Sequence, residues 1–153
     1  MTYQETKSLT NIISTIAITG IYAIIIYQRV LNGIADTSDV FKFWALTILI
    51  FIPISIAARI IIMIIFSIIN ATVQTAKGEE IDIDDVVDER DKLIELKSMR
   101  ISLIIFSLGF IIALGTQLID MSHHMFFITL IAFGLISEIV SDISMMVYYR
   151  KGV

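Results

Sequence analysis

Three ionisable residues lie where the surrounding chain is hydrocarbon. Arg59 falls in "FIPISIAARIIIMIIFSIIN", and Glu138 and Asp142 fall in "GLISEIVSDISMMVYY". An arginine with two carboxylates provides neither a nucleophile activated by a base nor a convincing metal site, so no enzyme and no cofactor is expected. Such charges can pair with one another, fix the register of two helices or carry a proton. At about 100° per residue Glu138, Ser141 and Asp142 share one helix face with Ile131, Gly134, Met145 and Tyr149, and Arg59 shares another with Ser55, Met63, Phe66 and Asn70.

The elements that must position these groups are set by composition. A chain of 153 residues that is 57% hydrophobic, with a mean hydropathy of +0.88, needs lipid as its solvent. Four apolar runs, at about 9–29, 43–70, 101–119 and 125–149, are each long enough to cross a hydrocarbon core of about 30 Å at about 1.5 Å per residue. The runs are continuous, not alternating, and an open sheet in lipid would leave backbone groups unpaired. The expected fold is therefore all-α: one domain over 1–153 with four transmembrane helices, and a loop and helical extension over 71–100. A secretory signal is the weaker reading of the N-terminus, because the uncharged stretch from Ser8 to Gln28 exceeds a usual apolar core and Gln28 and Arg29 would precede the cut. The absence of cysteine removes disulfides, thiol nucleophiles and thiolate metal sites.

Orientation follows from the loops. Lys7, Lys77, Arg90, Lys92, Lys97, Arg100, Arg150 and Lys151 fall on one side, against Arg29 and Lys42 on the other. Basic flanks stay cytoplasmic, so both termini and the central segment are expected there, in a multi-pass protein of the cell membrane. The net charge of −4 does not oppose this, since acids contribute little to the rule.

The central segment "AKGEEIDIDDVVDERDKLIELKSMR" changes character partway. Its first part is acidic and turn-like. From Asp88, an N-cap type with Asp91 three residues on, the spacing predicts a helix running directly into the third span, with Asp88 and Lys92 as an i,i+4 pair. The plain reading is a solvated extension whose Lys92, Lys97 and Arg100 meet lipid headgroups. The sharper one is a docking face for a cytoplasmic protein, carried by Asp88, Glu89, Arg90, Asp91 and Lys92; charge runs on exposed helices favour the plain reading. Asp82 and Asp84 resemble the start of a calcium loop, but Val87 stands where that loop needs glycine and Leu93 where it needs glutamate. Asp120, His123 and His124 form an interfacial polar turn, not a metal site. No metal and no nucleic-acid partner is expected.

Depth connects the two polar faces. The second and fourth spans run in the same direction, with Arg59 16 positions past Phe43 and Glu138 and Asp142 13 and 17 past Met125. All three then lie roughly 20 to 26 Å from the outer end. Each charge alone would cost roughly 2.5 to 3.5 kcal/mol at a helix centre, which favours placing Arg59 between the two acids. Two carboxylates against one guanidinium leave an excess negative charge, and a retained proton would relieve it.

The stretches "DERDKLIELKSMR", "SEIVSDIS" and "YYRKG" together resemble a family of small bacterial four-helix membrane proteins with no assigned biochemical function. The resemblance covers essentially the whole chain, with the central motif the most specific. In that family the C-terminal pair is often two arginines; here it is Arg150 and Lys151. Members tend to be encoded beside helix-turn-helix regulators, which implies a membrane accessory or signalling role. A non-enzymatic accessory or sensor is the leading expectation. The alternative is a proton-linked small-molecule transporter, which four helices could form only as a homo-oligomer.

Overall fold

The computed structural model describes residues 3–77 and 89–151. They form four α-helices: α1 (Tyr3–Leu31), α2 (Val40–Lys77), α3 (Glu89–Leu118) and α4 (His123–Lys151). Each is long and apolar enough to cross a bilayer, so the chain is a multi-pass membrane protein by length and composition. No strand occurs among the described residues.

The helices outrun the apolar segments that define them. α2 continues past Asn70 to Lys77, because no glycine or proline interrupts the chain before Gly78. α3 already begins at Glu89 and runs unbroken into the third apolar segment; Asp88, the expected cap, lies outside the described residues. Acids in the first turn of α3 and Arg150 and Lys151 in the last turn of α4 oppose the partial charges of those helix ends. Pro53 sits inside α2 without ending it, and its missing N–H leaves the Leu49 carbonyl without its usual donor.

Short turns complete the connections. Gly33 takes φ +67°, where a side chain would be strained, and the Ile34 N–H then reaches the Arg29 carbonyl at 3.0 Å to close α1. The Ser38 hydroxyl and backbone N–H both donate to Asp36 and hold its carboxyl below the usual range. Asp39 caps α2 by accepting the Lys42 N–H at 3.1 Å. At the other turn Ser122 accepts the His124 N–H at 3.3 Å, after Asp120 has reversed the chain at φ 53°.

α4 is the central helix. It packs along α3 on one side and α1 on the other; α1 in turn carries α2, which reaches α4 only at isolated points. Among the described residues the backbone of α3 comes close to α4 alone. The order across the layer is thus α3, α4, α1, α2, bent so that α2 leans back toward α4. The interior is polar and the exterior apolar: Glu5, Ser8, Ser14, Thr15, Thr47 and Asp142 are buried, while most isoleucines of α2 are exposed. Lipid solvates hydrocarbon but cannot satisfy a hydrogen bond, so this distribution is the stable one.

Close approach of α3 and α4 depends on small residues. Gly109 and Ala113, one turn apart, are buried against α4, and a Cβ on Gly109 would overlap the Phe133 ring. Phe106 of α3 lies in turn over Gly134 of α4. Gly109→Ala is expected to destabilise the protein by about 1–3 kcal/mol through overpacking. Gly115, with nothing within 4 Å of its added Cβ, should accept alanine without loss. Thermal unfolding of both variants in detergent checks the contrast; equal behaviour would contradict the packing described here.

Candidate functional site

The polar residues of α2 and α4 are joined by a third helix. Arg59 Nη1 donates to Glu138 Oε1 in an ion pair between α2 and α4. Its Nη2 turns instead to α1, donating to Thr15 Oγ1 at 3.2 Å. Thr15 is only 1% exposed, so its hydroxyl has no solvent alternative at this position. The guanidinium therefore forks between a charged acceptor and a neutral one.

Asp142 stands within electrostatic reach of Arg59 but accepts no hydrogen bond from it. It lies one turn beyond Glu138, 8% exposed, with the side chain of Asn11 against it and both Arg59 and Glu138 within electrostatic reach. Arg59 donates to Glu138 and to Thr15, so the arginine does not sit symmetrically between two acids. The cause is packing: α1 lies along α4 while α2 stands further out, and the residue one turn on from Glu138 is covered by α1 before α2 can reach it. Ser141 is half-buried on the same face.

Thr15 and Asn11 are the residues that inspection of α2 and α4 misses. A signal for them exists in α1, where Glu5, Ser8, Asn11, Thr15, Thr19 and Tyr22 recur every three or four residues as a third polar stripe. Tyr22 extends it by donating to the Thr47 carbonyl at 2.7 Å, with its ring 4.9 Å from that of Phe51, and so joins α1 to α2. On α2 the stripe of Ser55, Arg59, Met63, Phe66 and Asn70 is half-buried, consistent with its facing the neighbours.

The ion pair is partly open, with the Arg59 and Glu138 side chains 40% and 36% exposed. This exposure arises because α2 and α3 do not close over α4. Beside Arg59 the outer surface of α2 forms a shallow, open hollow along Ile60, Met63, Ile64, Ser67 and Ile68.

A second polar cluster closes one end of the bundle. Arg150 Nε donates to Glu5 Oε1 at 2.8 Å, bringing both ends of the chain to the same side. Lys97 Nζ lies 5.8 Å from the centre of the Tyr148 ring, and Asp91 accepts from Tyr149. Ile94 and Ser98 are fully buried between these contacts. Of the residues expected to form a docking face, Asp91 thus turns inward to α4, whereas Glu89, Arg90 and Lys92 are exposed and Asp88 lies outside the described residues. Among the described residues no three His, Asp or Glu side chains converge as a metal site would require.

No family model, curated protein or solved structure matches the chain.

A double-mutant cycle separates the two acids. Arg59→Leu with Glu138→Gln should show a coupling of about 0.5–3 kcal/mol in thermal stability, and Arg59→Leu with Asp142→Asn a smaller one, because only Glu138 shares a hydrogen bond with the guanidinium. Thr15→Val should cost about 1 kcal/mol or less. Additivity of Arg59→Leu and Glu138→Gln would show that the pair makes no energetic contact.

Proposed function

We propose that the chain is a non-enzymatic membrane accessory or sensor in which the position of α2 against α4 is the variable element. The observation that supports this most directly is that one helix serves two clusters. α4 carries Glu138 and Asp142 in its middle and Tyr148, Tyr149 and Arg150 at its end, where it meets α1 and the start of α3. A change in the Arg59–Glu138 contact therefore acts on the same rigid element that holds the polar end together. The start of α3 presents Glu89, Arg90, Lys92, Leu93, Leu96 and Met99 outward, a mixed charged and apolar strip suited to a protein partner. The resemblance of "DERDKLIELKSMR" and "SEIVSDIS" to small four-helix bacterial membrane proteins supports the same class.

In this reading both termini and residues 78–100 face the cytoplasm, on the strength of the eight-to-two distribution of basic residues. The chain has no native cysteine, so single introduced cysteines report without background. A cysteine at Lys77 should be protected from an impermeant reagent added to intact cells, and one at Asp39 should be labelled. The reverse pattern would invert the topology. Crosslinking followed by pull-down from native membranes tests the partner role: substituting Arg90 and Lys92 with glutamate should abolish recovery of a specific partner. Recovery of none with the native chain would remove the docking face.

A proton-linked transporter acting as a homo-oligomer is the second reading, favoured by the partial exposure of the ion pair on the side left open between α2 and α3. Charge facing hydrocarbon is costly, and a second copy or a water-filled path would relieve it. Proteoliposomes carrying the purified protein should then show proton-driven flux that Glu138→Gln abolishes. Absence of any such flux leaves the accessory reading in place.

A further inference from the structure

The end of the bundle opposite Glu5 and Arg150 contains a hydrogen bond with an unusual restriction. Trp44 Nε1 of α2 donates to His124 Nδ1 of α4 at 3.0 Å. An indole nitrogen can only donate, so the imidazole nitrogen that faces it must be unprotonated, and the contact exists only for neutral His124 with its proton on Nε2. A proton added to Nδ1 would set two N–H groups against each other. The adjacent histidine has the opposite property. His123 Nδ1 faces Gln117 Oε1 at 2.6 Å, and the Gln117 amide is oriented by donation to Thr116 Oγ1 at 3.2 Å. An Nδ1–H satisfies that carbonyl whether the ring is neutral or charged, so protonation leaves the His123 contact intact.

Around His124 stand aromatic rings and, at the same end of the bundle, charges of both signs. From α2 His124 meets the rings of Phe43 at 6.2 Å and Trp44 at 6.3 Å, both steeply inclined to it. On α4 itself Phe127 stacks on Trp44 at 5.6 Å. The other titratable or charged groups at this end are His123 on α4, Asp120 on the preceding turn, Lys42 on α2, Tyr27 and Arg29 near the end of α1, and Asp36 and Asp39 on the turn after it. The ion pairs found among the described residues are Arg59–Glu138 and Arg150–Glu5, and neither involves His124.

We propose that the Trp44–His124 hydrogen bond is a proton-operated clasp between α2 and α4, closed while His124 is neutral and open when it is charged. α2 touches α4 at isolated points only, so opening the clasp leaves the ion pair at Arg59 as its chief polar tie to α4, and the Tyr22–Thr47 and Arg59–Thr15 bonds as its ties to α1. A cleft of about 140 Å³ between Phe41, Gln117, His123, Phe126 and Phe127 lies beside the clasp and gives the start of α2 room to shift. The inference deepens the sensor reading by naming a stimulus, acidification on the Trp44 side. It rests on that reading only for the biological use of the movement.

Trp44 is the single tryptophan of the chain, so its emission reports the clasp directly. In nanodiscs titrated from about pH 8 to about pH 5, the native protein should show a one-proton transition, the open-to-closed ratio rising about tenfold per pH unit on the acid side. His124→Ala should show the open emission throughout. His124→Asn places an amide oxygen near the former Nδ1 and does not titrate, so it should keep the closed emission at every pH. His123→Ala should retain the transition. A flat native titration, a transition that survives in His124→Asn, or one that disappears in His123→Ala would overturn the proposal. Spin labels on cysteines replacing Lys42 and Met121 distinguish movement from simple quenching. Their separation should widen in acid in the native background and stay constant with His124→Asn; a change of emission without a change of distance also overturns the clasp. An intact clasp together with failure to recover a partner would count against the sensor reading alone.

Discussion

Hydrocarbon cannot hydrate an ion, and the guanidinium of Arg59 is the group for which that constraint is most severe. It cannot shed its charge, so it must carry its donors to acceptors on other helices. Glu138 on α4 and Thr15 on α1 supply them. The placement of α2 follows, since its own surface is almost wholly aliphatic and its contact with α4 is sparse. A helix of exposed isoleucines gains nothing from burial that lipid does not already give it, so polar contacts and close packing determine where it lies.

The same constraint explains why the interior of the bundle is richer in hydroxyls and carboxylates than in large apolar side chains. Thr15, Ser14, Thr47, Ser137 and Asp142 are buried while the aliphatic residues face outward. Helix pairs come together through different means. α3 and α4 use shape, with Gly109 beneath Phe133 and Gly134 beneath Phe106. α1 and α2 use the Tyr22 hydroxyl, and α2 and α4 use an ion pair at depth and an indole–imidazole bond near their beginnings.

α4 is consequently the element on which the contacts converge. It meets every other helix, and its polar residues occur at its start, middle and end: His124, then Glu138 and Asp142, then Tyr148 to Arg150. α3 depends on α4 for its neighbours, and α2 makes few contacts with it.

By itself the amino-acid sequence determined the four helices and the continuity of the third apolar segment with the helical residues from Glu89 onward, because apolar length and the absence of breakers act locally along the chain. It also brought out Arg59, Glu138 and Asp142, since charge within a hydrocarbon run is conspicuous without any knowledge of packing. Only the tertiary structure decided which carboxylate receives the guanidinium, that α1 completes the site through Thr15 and Asn11, and that Asp91 turns toward Tyr149 instead of outward. Equal depth is compatible with an arginine contacting either acid. The choice depends on the order of helices around α4, and that order arises from close packing at Gly109 and from long-range hydrogen bonds, neither of which leaves a periodic mark in one segment. The polar stripe of α1 was legible in principle, but it lacks charge in its middle and so carries a weaker local signal than the stripes of α2 and α4.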